Sequence, residues 1–132
     1  MIRVDGWEAR LMSAMQDHAA QSYAWGSSDC VAMARASVQA VTGEDLKIPR
    51  YTSELGAAKA LRKLGVDRLG DAAGLFLKER ARGLEQRGDI AVIETQAGDT
   101  LAVVMGAQVL WKSADGGRFF PLSHARVTYA VG

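Results

Sequence analysis

The hydrophobic period of this chain changes once, at Gly88, and that change decides what it can fold into. Before it, apolar residues recur at helical spacing. Trp7, Leu11, Met15 and His18 stand at i, i+4, i+8 and i+11, with Ala14 beside them, which predicts a helix over roughly residues 4–20 with Asp5 as its N-cap. After Gly88 the apolar residues come in short β-prone runs: residues 89–94, 100–105, 109–112, 118–122 and 126–131. Ala97-Gly98-Asp99 and Ala114-Asp115-Gly116-Gly117 read as turns between them. Links this short imply antiparallel neighbours. Helices first and an antiparallel sheet of about five strands second make an α+β domain, and no linker or repeat divides residues 1–132.

Three more helices are expected. Residues 29–41 carry many alanines, which favour helix and permit close approach, and Gly43 ends the run. Pro49 breaks the connector that follows. Thr52 or Ser53 then caps a helix over residues 54–64, with Leu55, Ala58, Leu61 and Leu64 inward and Gly65 at its C-terminal end. A short helix is expected over residues 71–78. The charged stretch 79–87 reads as solvated surface.

Composition removes several function classes. Sixteen basic and fifteen acidic residues leave a net charge of +1, without the basic stripe of a nucleic-acid binder. No run approaches the roughly 20 apolar residues of a membrane span, and the first residues lack a signal-peptide core. A single cysteine forbids an internal disulfide. Two histidines, His18 and His124, form no zinc-site spacing with it, so neither metal nor cofactor is expected. His18, near an apolar stripe, reads as a packed side chain and His124, after Pro121, as an exposed turn residue.

That cysteine lies in Trp25-Gly26-Ser27-Ser28-Asp29-Cys30, at the start of the second helix. Ser27 or Ser28 is expected to cap the helix, and Asp29 in its first turn to complement the dipole. The N–H groups there are expected to lower the thiol pKa, the setting of a nucleophile. The competing reading is a small buried apolar residue. Tyr23 and Trp25 lie in the preceding loop, where Gly26 supplies a backbone angle other residues avoid.

With these elements placed, the chain resembles the NlpC-type cell-wall peptidases, small papain-like cysteine enzymes. Gly26-Ser27-Ser28-Asp29-Cys30 is similar to their nucleophile motif, Gly88-Asp89-Ile90-Ala91-Val92-Ile93 to a strand that follows, and residues 100–106 fall in register with the strand that opens on the catalytic histidine. Thr100 stands in that histidine's place. Threonine cannot take a proton from a thiol near neutral pH, so the usual activated pair is missing. His124 replaces it only if the last strand lies beside the Cys30 helix end. A narrower pattern, Trp25-Gly26, Asp29-Cys30, Thr42-Gly43, Tyr51-Thr52, Gly56-Ala57 and Arg87-Gly88-Asp89, resembles a family from tailed bacteriophages and prophages encoded among tail genes.

The resemblances imply two functions. One is a structural component of a phage tail tip or baseplate on a degenerate peptidase fold, made in the host cytoplasm and carried in the virion. It would work in tail assembly or wall penetration, with Tyr23, Trp25 and Trp111 facing tail-tip or hub partners, or peptidoglycan. The other is an active cysteine peptidase or amidase cutting peptidoglycan peptides, with Cys30 as nucleophile, Asp29 supporting the helix start and His124 or His18 as base. A small acyltransferase using the same pair is a third.

Overall fold

A computed structural model describes residues 1–96 and 98–132. Among them, four helices, α1 (Trp7–Ala20), α2 (Cys30–Thr42), α3 (Glu54–Lys63) and α4 (Leu69–Gly74), precede five strands, β1 (Ile90–Thr95), β2 (Gly98–Val104), β3 (Gln108–Ser113), β4 (Gly116–Pro121) and β5 (Val127–Tyr129). The fold is α+β, with every strand pair antiparallel. Ala97, the first residue of one expected turn, lies outside the described residues, and Gly98 and Asp99 open β2.

The sheet order is β4-β3-β2-β1-β5, so the last strand does not follow its predecessor. A 3-10 turn at Leu122–His124 carries the chain across to β1, where the Arg126 N–H donates to the Val92 carbonyl at 2.8 Å. An open β1 edge would expose unpaired main-chain groups, and β5 covers it. Residues 78–80 in turn cover β5: the Arg80 N–H donates to Thr128 O, and the Ala130 N–H to Lys78 O. Helix α4 ends at Gly74 and the chain leaves it through a tight turn before pairing with β5, so it falls short of the helix expected through residue 78.

Helix α2 is the centre of the core. Its Met33, Ala34, Val38 and Val41 are buried in one cluster with Ile90, Val92, Leu101, Val103 and Leu110 of the sheet. Each large aliphatic side chain buried here is worth roughly 1.5–3 kcal/mol. Gly88 allows the strand to start hard against the helix: at φ 91° it sits where a Cβ would lie 2.9 Å from Val41 Cγ2, and Ser37 Oγ donates to its carbonyl. Helix α1 packs on α2 through the buried Leu11 and Met15.

Four local expectations are corrected. Helix α1 starts at Trp7, not residue 4, because the Val4 N–H is taken by the Val41 carbonyl and Gly6, not Asp5, is the N-cap. Leu55 is 62% exposed. Ala57, Ala60, Leu61 and Leu64 share the inward face of α3 at i, i+3, i+4 and i+7, and Leu55 and Ala58 point away from the core. Ser53 caps that helix by accepting from the Gly56 N–H, and its C-cap is Leu64, with Gly65 just beyond. Arg80, expected on solvated surface, is paired with Asp89.

Candidate functional site

Residues 24–28 form a tight turn. The Ala24 N–H donates to Ser28 O, and the Ser28 N–H donates back to Ala24 O. Gly26 sits in it at φ 81°, and a Cβ there would lie 1.8 Å from the Tyr51 carbonyl oxygen. Only glycine lets the turn press on the connector that carries Tyr51.

Asp29, not a serine, caps α2. Its Oδ1 accepts from the Ala32 N–H at 2.9 Å, the reach of an N-cap carboxylate to the third helical residue. Its Oδ2 accepts from the Gly26 N–H at 2.8 Å and from the Tyr51 hydroxyl at 2.7 Å. Cys30 is therefore the first helical residue. Ser28 points inward instead, its hydroxyl buried without a partner among the described residues.

The thiol of Cys30 is pushed up, against the lowering expected from the helix start. Burial is the largest cause. A hydrogen bond with the Thr100 side chain and main-chain contacts at Leu101 and Val31 favour the thiolate without outweighing it, and the Asp29 charge adds to the rise. Thr100 is thus the side chain of β2 set against the sulfur.

Neither histidine lines the groove into which Cys30 opens. His124 is exposed on the 3-10 turn, its ring 5.8 Å from that of Phe120. Phe120 packs on the opposite sheet face, with Ala91, Ile93 and Val104. His18 is half-buried at the end of α1, and burial, then the Lys112 charge, pull its pKa down.

The groove, about 1070 Å³, runs between the Tyr23–Trp25 loop, the connector, α3 and the end of the sheet near Asp99. Tyr23 and Trp25 meet edge to face at 5.5 Å, and Trp25 is 40% exposed. Burial, then the charges of Asp29, Cys30 and Glu54, push the Tyr23 hydroxyl up to about 12. Burial and the bond to Asp29 push Tyr51 upward as well. Trp111 also reaches the groove, but it is half-buried and stacked on Phe120 at 5.6 Å.

Three features escape sequence reasoning. Tyr51 holds Asp29 from 22 residues away, and no spacing marks that pair. Arg68 and Arg126 clamp Asp99 at 2.7 and 2.9 Å, with Glu94 beside them. Lys112, 2% exposed, donates to the carbonyls of His18 and Gln21 at the end of α1. For Lys112 there was a signal: it shares strand parity with the inward Leu110. Among the described residues no group of three or more His, Cys, Asp or Glu is placed to hold a metal, and no helix is long and apolar enough to cross a membrane.

The sequence profile of a family described as a domain of unknown function (DUF6950) matches residues 2–131. No curated protein matches the chain. Among solved structures, the crystal structure of the NlpC/p60 domain of the peptidoglycan hydrolase SagA superposes with a TM-score of 0.59, at 14% identity, over 92% of this chain and 97% of that one. The fold is therefore that of the NlpC/p60 papain-like domains.

Proposed function

We propose that this chain, which belongs to the DUF6950 family, is a non-catalytic structural component of a bacteriophage tail tip or baseplate. In this reading residues 1–132 act as one NlpC-like domain, carried in the virion, that works in tail assembly or wall penetration. The observation that carries it is the neighbourhood of Cys30: a threonine hydroxyl where a base is required, a thiol shifted upward, and no imidazole lining the groove among the described residues. A general base is worth about 10²–10⁴-fold in such chemistry. The phage-tail resemblance of the Trp25-Gly26, Asp29-Cys30 and Arg87-Gly88-Asp89 pattern supports the location, and the SagA likeness supports a peptidoglycan-related setting.

The test has two parts. Purified protein incubated with intact cell walls and with soluble wall peptides should release no fragments detectable by mass spectrometry. Peptide mapping of purified virions should find the chain. Turnover that disappears in Cys30→Ala would replace this reading with the cysteine peptidase, which the intact Asp29-Cys30 helix start keeps in view. Virions lacking the chain would remove the virion role.

A further inference from the structure

We propose that the Cys30 groove is a docking site for a cationic segment of a partner protein, its lysine or arginine side chains seated between the Tyr23–Trp25 wall and the exposed carboxylates of Glu54 and Asp67, with the buried Asp29 adding only to the field. The inference rests on the non-catalytic reading above and adds the chemistry of the occupant.

The charge balance of the groove points to it. Seven ionisable acids and cations other than the tyrosines and Cys30 line it, five carboxylates against Arg68 and Lys112. Arg68 is already held by Asp99 and Glu94, so it offers an anion little free charge. Lys112 is turned away onto main-chain carbonyls. Among the described residues Asp29 accepts only from neutral donors. Glu54 and Asp67, both exposed, form no ion pair among the described residues. Among the described residues the groove thus keeps three carboxylates without a cation, of which Glu54 and Asp67 are open to a ligand. A concave wall focuses such a field and draws in ligands of opposite charge.

The wall itself suits a cation on an apolar stem. Trp25 presents an exposed indole beside Tyr23, and aromatic faces attract ammonium and guanidinium groups. Leu61 and Leu69, both half-buried, and the exposed Ala58 line the groove and would take the methylenes of lysine or arginine. An acidic segment would be repelled by Glu54 and Asp67, and an uncharged one would gain nothing from them.

Calorimetric titration of the full chain with a blocked alternating Ala-Lys decapeptide tests the proposal, with an Ala-Glu decapeptide and soluble peptidoglycan fragments as rivals. The lysine peptide should bind, with affinity falling as salt rises, and the glutamate peptide should not. Glu54→Gln combined with Asp67→Asn should weaken binding about tenfold, the size of two screened charge contacts, with the melting temperature nearly unchanged because both residues are exposed. Trp25→Ala should weaken it further. Equal binding of the two decapeptides, no binding of the lysine peptide, or indifference to the double substitution would overturn the proposal. Preference for the wall fragments would also overturn it, while leaving a non-catalytic tail component intact. Self-association of the chain that the double substitution abolishes would make a second copy the occupant instead.

Discussion

Asp29 and Asp89 are two buried carboxylates set at the start of the two central elements, and only Asp89 is neutralised by cations among the described residues. Asp89, fully buried just ahead of β1, accepts from Arg80 through both oxygens, from Arg3 at 3.3 Å, and from the N–H groups of Gln86 and Val131. It ties residue 3, the 79–87 loop and residue 131 to the sheet. Asp29, 1% exposed, has only two N–H groups and the Tyr51 hydroxyl among the described residues. One carboxylate is spent on closing the molecule. The other holds the groove's geometry and leaves its charge to be felt there.

Asparagine at each position separates these roles. Asp89→Asn leaves two guanidiniums facing an amide that can accept through one oxygen only. Arg3 and Arg80 are themselves mostly buried, so the loss should approach about 3 kcal/mol in urea unfolding. Asp29→Asn keeps the N-cap oxygen toward Ala32, and Tyr51 can turn to accept from the amide. Only the Gly26 bond is lost, which costs about 1 kcal/mol. Equal losses at both positions would erase the distinction.

The part of this contrast that sequence makes legible is local. Gly88-Asp89 marks the period change, and Asp29-Cys30 marks a helix start, because caps and strand alternation are written within a few residues. Each strand falls within a few residues of its expected run. What stays illegible is the pairing across long separations. Arg3 meets Asp89 across 86 residues, and β5 joins β1 past three other strands, because edge coverage and charge compensation are settled only when the sheet closes. The Cys30 thiol shows the same limit: helix position predicts a lowered pKa, and burial under β2 reverses it.

Thr100→His puts an imidazole where the hydroxyl now meets Cys30. Thr100 is nearly buried, so the larger ring should cost about 1–3 kcal/mol of stability. An imidazolium within contact distance should lower the thiol pKa by a unit or more, and iodoacetamide alkylation at neutral pH should rise about tenfold. No gain in rate would mean that residue 100 does not govern the sulfur.

The smallest expected effect is the most direct measure of the unneutralised charge. In the native chain, alkylation of Cys30 followed against pH should have its midpoint above that of a free cysteine, because the thiolate is the reactive form and burial disfavours it. The Asp29 carboxylate contributes to that rise only after desolvation. Asp29→Asn removes the charge while keeping the helix cap, so the midpoint should move down without reaching the free-thiol value. Below the midpoint the rate follows the thiolate fraction, and about a threefold acceleration is expected for one partly screened charge. Asp89→Asn, assayed under conditions where it remains folded, should leave the midpoint in place, since its charge is balanced within its own cluster. An unmoved midpoint in Asp29→Asn would mean that the carboxylate is already neutralised where Cys30 sits, and the attraction of the groove for cations would then rest on Glu54 and Asp67 alone.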